Sequence, residues 1–318
     1  ASDITWFPDS ANLNTDTFNI EEVIVGIEFP QVTNTNTYMR YLPYQDELYI
    51  NMKDTEFNMY GSTFFAGNLL MRPTGLIGDG IMKLDKADVA SESFVYNAKW
   101  FGSESADLQV FEDTLGFSFK ANNLRTHIDL QEREGIFHSA GDDSYVELLA
   151  NKYMCYIDKL IWDMDNASLD LSNEHDSIST GSQFISIHPD QDSLSFFSSS
   201  ASYSLKDYII YANGVDSILV ADAVLYPDSG KVIVHKEAVI PTLHNAVLVA
   251  GNLTRYHKFA KASVDIISAN AYTGSGYYTF IDAMDNRQEM FFDSIMVNQY
   301  TITEAHGGLA DSSSFSID

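Results

Sequence analysis

The chain has one cysteine in 318 residues, so no intramolecular disulfide can form. Cys155 sits in the apolar run Tyr153-Met154-Cys155-Tyr156-Ile157. Only Lys152 and Lys159 are basic nearby, which suits a buried, inert thiol rather than a nucleophile. Basic residues are scarce: 18 against 45 acidic leave a formal charge of −27. That charge repels nucleic-acid backbones and anionic membrane surfaces, so neither is an expected partner. It suits a secreted or envelope-exposed protein kept soluble by self-repulsion. No apolar run approaches the ~18 residues of a spanning helix, so no membrane-spanning segment is expected. Ala1-Ser2-Asp3 lacks the charged and apolar regions of a signal peptide, and no initiator Met precedes it. The expectation is a processed form, or an excised segment of something longer.

Catalytic signatures are missing as well. Gly75-Leu76-Ile77-Gly78-Asp79-Gly80 lacks the Gly-Lys-Ser/Thr ending of a phosphate loop and reads as turn or bulge. Gly274-Ser275-Gly276 lacks the strand-elbow-helix context of a serine hydrolase. His235, His244 and His257 fall close together in sequence but match neither a helix face nor H-E-x-x-H, so zinc is not implied. The run from Trp162 to Asp170 has alternating carboxylates, yet no Gly or Glu where an EF-hand requires them. An irregular surface calcium site stays open at Asp163 with Asp165, or at Asp282 with Asp285; turn-forming Asp explains the same residues otherwise. No other cofactor and no catalytic residue are implied.

What is present is β-structure. Apolar residues make up 45% of the chain and aromatic ones 13%. From Ser217 to Asp282 the pattern is strand, turn, strand, without a helix. Ile218 to Tyr226 reads as one strand, apolar on both faces apart from Asp222. Val232, Val234, Ala238 and Ile240 alternate with His235 and Glu237 as in a half-buried strand. Pro227-Asp228-Ser229-Gly230, Gly251-Asn252 and Thr273-Gly274-Ser275-Gly276 read as turns. Earlier strands are expected at Val23–Ile27, 38–44 and 47–52, later ones at 208–211, 290–292 and 294–297. Gln131-Glu132-Arg133-Glu134 is the best candidate for a helical turn, and the Gly- and Ser-rich tail from His306 is expected to fray. The stretches from Pro73 to Ala106 and from Pro227 to Val264 share an order of Pro, turn Gly, strand and Ala, as stacked coils would.

The expected fold is therefore all-β, an elongated β-solenoid or stacked β-jellyroll, with helix below about a tenth of residues. Two β-rich segments, 1–165 and 182–318, are expected on either side of a polar interval, or else one continuous elongated domain. Asp followed by Ser or Thr and an apolar residue or Thr occurs at Ser10, Thr114, Ser177, Ser193, Ser217 and Ser294. Composition alone gives about two such triplets. The pattern is similar to the O-glycosylation sequon of exported Bacteroidetes proteins.

Through Leu42-Pro43-Tyr44-Gln45-Asp46-Glu47-Leu48-Tyr49, the run from Pro73 to Gly80, the run from Val220 to Gly230 and Thr254-Arg255-Tyr256-His257, the chain resembles large cell-envelope or surface proteins of Bacteroidetes. In rhythm it is also similar to the β-jellyroll coils of OstA-like lipopolysaccharide-transport proteins. These resemblances imply location and architecture: periplasm, cell surface or secretion. The expected function is a non-enzymatic structural or interaction segment of a larger exported protein, with other envelope proteins or glycans as partners. The rivals are a polysaccharide-binding or polysaccharide-cleaving β-helix and a lipid-carrying β groove. Nothing in the residues sets an oligomeric state.

Overall fold

The structure is a computed structural model that describes residues 4–6, 11–13, 29–34, 37–112, 116–173, 181–251, 257–281 and 285–307. Strand accounts for 67% of it and no α-helix occurs. Among the described residues the helical geometry is confined to 3-10 turns at Pro189–Gln191, Asp228–Gly230 and Lys236–Ala238. The protein is all-β. The strand expected at Val23–Ile27 and the tail from Gly308 lie outside the described residues. The chain forms two compact units: Ala1–Leu149 with Ile157–Leu169, and Ala150–Tyr156 with Asp170–Asp318.

Unit 1 begins with β1 (Ile4–Trp6), β2 (Ala11–Leu13), β3 (Val32–Asn34), β4 (Thr37–Leu42), β5 (Glu47–Met52) and β6 (Phe57–Met59). Five long strands follow: β7 (Thr63–Arg72), β8 (Gly75–Lys83), β9 (Ala87–Tyr96), β10 (Trp100–Glu112) and β11 (Gly116–Asp129). Then come β12 (Glu134–Ser139) and β13 (Tyr145–Leu148); β14 (Tyr153–Tyr156) belongs to unit 2, and β15 (Lys159–Asp163) returns to unit 1.

The long strands each serve two ladders. β7 pairs with β6 through residues 63–65 and with β5 through residues 68–71. β11 pairs with β13 through residues 119–122 and with β12 through residues 124–129. Between the two halves the strands bend, and the residues there are small or polar. A Cβ on Gly67 would lie 2.1 Å from Asp79 O, and one on Gly80 would lie 2.2 Å from Ala66 O. Those glycines let backbone approach backbone within a ladder, which is why the Gly75–Gly80 run is strand β8 and a bulge rather than a loop. Further along, Ser103 Oγ donates to Ser105 O at 2.8 Å, and Asn123 N donates to Asp107 Oδ1 at 3.0 Å, so side chains satisfy backbone polar groups that bulging frees. The core beside this bend is aromatic: Phe94 and Phe101 pack edge to face at 5.7 Å, and Phe65 meets Tyr96 at 5.7 Å. Each is fully or almost fully buried, and the three Phe side chains stabilise the fold by ~1.5–3 kcal/mol apiece.

β16 (Ser168–Ser172) spans the boundary between the units. Unit 2 continues with β17 (Ser182–Ser186), β18 (Ser195–Ser198), β19 (Ser200–Ser204), β20 (Ile209–Asn213), β21 (Ile218–Val220), β22 (Ala223–Tyr226), β23 (Lys231–Val234) and β24 (Leu243–Ala250). It ends with β25 (His257–Ser268), β26 (Ala271–Ile281), β27 (Arg287–Val297) and β28 (Thr303–His306).

Two ladders alternate here. One runs β14–β17–β18–β21–β22–β24 and the other β19–β20–β23, all antiparallel. The chain therefore makes a hairpin in one ladder, crosses, and makes a hairpin in the other. Period-2 burial gives each ladder one dry face, with Phe184, Phe196 and Leu225 on the first and Tyr203, Ile210 and Val234 on the second. The crossings stack. Ser199 N donates to Asn213 O and Val215 N to Gly230 O, and a Cβ on Gly214 would lie 2.0 Å from Ser199 Oγ. At other turns Asn151, fully buried, donates from Nδ2 to Tyr208 O at 2.8 Å and to Val234 O at 3.0 Å.

Several local expectations change. Ile218–Tyr226 is a hairpin rather than one strand: Val220 pairs with Ala223 across Ala221 and Asp222, with Ala221 at φ 52°. The strand read from Val232 to Ile240 stops at Val234 and turns through Lys236–Ala238. Thr273–Gly276 is no turn but the middle of β26, and 290–297 is a single strand. Gln131–Arg133 lie in a hairpin turn, where Asp129 Oδ1 accepts from Gln131 N and Glu132 N, and Glu134 already belongs to β12. His306 lies in β28. The stretches from Pro73 and Pro227 fold differently: Gly78 and Gly80 are mid-strand, whereas Gly230 closes a tight turn.

Candidate interaction site

The strands β25, β26 and β27 carry apolar residues on both pleat faces. Gly274 and Gly276 mark the bend in β26: a Cβ on Gly274 would lie 2.6 Å from Ser263 O, and the register with β27 shifts between these glycines. Beyond the bend, Phe259 faces Tyr278 and Tyr278 faces Met290, forming one row across three strands. Phe259 packs against Tyr278 at 5.6 Å and edge to face against Phe292 at 5.5 Å. On the other face Tyr277 stacks beside Phe291 at 5.0 Å, with the Lys261 amino group 5.5 Å from the Tyr277 ring.

Among the described residues the inner row is only partly covered. Phe259 is 4% exposed, but Tyr278, Phe280, Met290 and Phe292 remain half-buried. They line a trough of about 710 Å³ together with Thr303 and Ala305 of β28. A volume of this size lies in the ~300–1,000 Å³ range of ligand pockets. Its β28 wall is anchored. Asp222 Oδ1 accepts from Thr303 N at 3.0 Å and from Thr303 Oγ1 at 2.5 Å, and Tyr272 Oη lies 2.6 Å from the same hydroxyl. Burial, with a smaller push from the Asp222 charge, raises the Tyr272 phenol to about 12 despite the Thr303 hydrogen bond.

Beside the trough runs the outer side of β27. β28 pairs with β27 only through residues 294–297. Residues 287–292 of β27 pair with β26 on one side, and on the other Gly307 follows β28 closely, where a Cβ on it would lie 2.7 Å from Phe291 O. The edge is acidic: β27 and β28 expose Glu289, Asp293 and Glu304 against Arg287. Nothing in the sequence pattern set these strands apart from ordinary core strands. The available signal was Tyr277-Tyr278 and Met290-Phe291-Phe292, apolar on consecutive residues and hence on both faces.

The residues singled out from sequence are mostly scattered. His244 and His257 lie at opposite ends of the β24–β25 ladder, about 20 Å apart at ~3.3 Å per residue. His244 Nδ1 lies 3.3 Å from Ser263 Oγ, and His235 begins the 3-10 turn after β23. His257 alone borders the trough. Asp163 accepts from Asn166 N at 2.8 Å and Asn166 Nδ2 at 2.6 Å, while Asp165 pairs with Arg133 at 2.5 Å. Asp285 is exposed at φ 63°, and its proposed companion Asp282 lies outside the described residues. Among the described residues no group of three His, Cys, Asp or Glu side chains converges as a metal site. Cys155 is buried, and desolvation pushes its thiol well above the ordinary range.

Of the glycan-acceptor candidates, Ser10, Thr114 and Ser177 lie outside the described residues. Ser193 is exposed in a turn at φ 58°, whereas Ser217 and Ser294 are half-buried. In all three described triplets the third residue, Leu194, Ile218 or Ile295, is core. Among the described residues the most exposed aromatics, Tyr44 at 81% and Tyr300 at 70%, sit in hairpin turns. No helix among the described residues is long and apolar enough to cross a membrane. Comparison with protein-family models, with curated proteins and with solved structures finds no match.

Proposed function

We propose that this chain is a non-enzymatic interaction segment of a larger exported cell-envelope or surface protein, and that it meets its partner at the apolar trough of unit 2. One observation carries this reading: an apolar trough of about 710 Å³ lined by half-buried aromatic side chains, on a protein of charge −27. So highly charged a surface has no solubility reason to leave aromatic side chains half-buried in a concavity, and such patches mark binding sites. The alternating hairpins and stacked crossings of unit 2 support the stacked-jellyroll form of the fold. The acidic surface, the six Asp-Ser/Thr triplets and the resemblance to Bacteroidetes surface proteins support export to the periplasm or beyond, with glycan on some of those residues. Calcium at Asp163 with Asp165 has weaker support, since Asn166 and Arg133 already occupy those carboxylates.

The same trough favours a second reading, a lipid-carrying groove, because its inner row is apolar. A polysaccharide function has less support, since the exposed Tyr44 and Tyr300 lie in turns rather than along one face. The test is a polysaccharide array with reducing-sugar release. The interaction reading expects no turnover, and no saturable glycan binding that depends on exposed aromatics. Turnover of a defined polysaccharide, or binding abolished by Tyr44→Ala or Tyr300→Ala, overturns it.

A further inference from the structure

We infer that unit 2 pairs with a second copy of this chain, face to face, through the outer side of the ladder β14–β17–β18–β21–β22–β24. This side of the sheet is opposite to the one that carries the trough, so the pairing stands apart from the trough's partner. Charge is missing from the ladder. None of the six strands contains Asp, Glu, Lys or Arg, in a chain that is 20% charged. An antiparallel sheet with one solvated face alternates apolar with polar residues. Here the inner face already holds the core, with Phe184, Phe196 and Leu225, so the polar residues are due on the outer one.

The register puts apolar residues there instead. Met154 lies opposite Ile185, and Ile185 opposite Ser195. Leu219 lies opposite Val224, and Val224 opposite Val249. Pairing of Phe196 with Ile218 sets Ser195 across from Leu219, so the six residues form one row across the ladder. Phe197 stands beside it. Leu219 is 55% exposed and Phe197 is 47% exposed. The second ladder of unit 2 gives the contrast: on its outer face Tyr211 lies between Ser202 and Ile233, and the next row is Ser200, Asn213 and Lys231. That interleaving is what a solvated face requires.

Three properties select a second copy as the occupant. A face without charge is complementary to itself, and a two-fold pairing sets the same patch on both sides of the interface. The area also fits. The outer face continues from Val249 through Lys258 and Ala260 to Tyr277 and Phe291. Nine strands at ~4.8 Å spacing and about four residues of ~3.3 Å rise give roughly 550 Å² in projection. Side-chain relief brings the accessible area toward the ~800 Å² per partner of a stable interface. Lastly, Ser195 and Gln183, which lies opposite Phe197, need polar partners that a protein face supplies and lipid hydrocarbon does not. Two chains of charge −27 repel, but the nearby carboxylates Asp216, Asp222 and Asp228 lie beyond the strand ends rather than on the face. Salt screens such charges over ~8 Å at physiological strength, so added salt tightens this pairing.

The experiment is sedimentation equilibrium of the full chain over a concentration series at low and high salt. A monomer–dimer equilibrium is expected, tighter at high salt. Leu219→Glu and Phe197→Glu are each expected to weaken it at least tenfold, and Tyr211→Glu to leave it unchanged. Should either of the first two unfold, nitroxide labels on Leu219→Cys and on Tyr211→Cys read the pairing in the folded chain, since Cys155 is buried and does not compete for label. The distance between copies is expected to be shorter from residue 219 than from residue 211. A monomer at every concentration and salt overturns the inference. So does a dimer that salt dissociates, or one that tolerates both Leu219→Glu and Phe197→Glu. A monomer that binds phosphatidylcholine vesicles, and loses them on Leu219→Glu, assigns the face to lipid and overturns it too. None of these outcomes touches the trough, whose reading fails only by its own test.

Discussion

Thr303 spends two donors on one carboxylate oxygen: its backbone N and its hydroxyl both reach Asp222 Oδ1, at 3.0 and 2.5 Å. Asp222 occupies the two-residue turn between β21 and β22, and Thr303 opens β28, so the pair ties the last strand of unit 2 to a hairpin 81 residues earlier. Hydrogen bonds to charged groups contribute about 1.5–3 kcal/mol each. Asp222→Ala is expected to lower stability by about 2 kcal/mol and to expose Thr303 and Ala305 to faster amide exchange. Thr303→Val, which keeps the backbone bond, is expected to cost less. Urea unfolding of the two variants checks the order, and equal costs would mean that the backbone bond carries nothing.

Gly80 and Gly75 share a backbone that L side chains rarely adopt, at φ 147° and φ 146°. Their surroundings differ: a Cβ on Gly80 meets Ala66 O at 2.2 Å, and one on Gly75 meets nothing within 4 Å. Gly75→Ala is expected to cost about 1–3 kcal/mol from backbone strain alone. Gly80→Ala adds a clash between paired strands, so it is expected to cost clearly more or to prevent folding. Similar melting temperatures for the two variants would show that β7 and β8 are not pressed together at the bend.

Tyr272 carries a pH signature. Its folded value of about 12 exceeds the ordinary ~10 of an exposed tyrosine, so the folded state holds the phenolic proton more tightly than the unfolded chain. Its contribution is complete below about pH 10 and is lost as pH rises through about 12. Tyr272→Phe is expected to flatten part of the stability loss across that window. An unchanged alkaline profile would place the loss on other buried tyrosines, such as Tyr60 and Tyr153, whose burial also raises them.

Ser193 is the expected glycan acceptor among the described candidates, since it is exposed in a turn, whereas Ser294 is half-buried within β27 between two paired strands. Peptide mapping of material from the native host is expected to find glycan at Ser193 and none at Ser294. Glycan at Ser294 would require β27 to open.

The strand class was legible in sequence because turn chemistry and period-2 alternation are local. Ala221 and Asp222 show the limit: an alanine at φ 52° carries no turn signature, so a hairpin read as one strand. Gly80 and Gly274 read as punctuation, yet each stands within a strand where another backbone passes close, a long-range cause that composition hides. The trough was illegible for a related reason. Phe259, Tyr278, Met290 and Thr303 come from four strands, and only the unfinished closure of their inner row separates them from core residues such as Phe184 or Tyr203. The triplet at Ser193, Ser217 and Ser294 also gains a structural cause, since its third residue anchors the core each time.

A polysaccharide array with reducing-sugar release, run on the full chain, tests the central claim most directly. A non-enzymatic interaction segment predicts no turnover, and no saturable glycan binding that depends on Tyr44 or Tyr300. Turnover of a defined polysaccharide would contradict it.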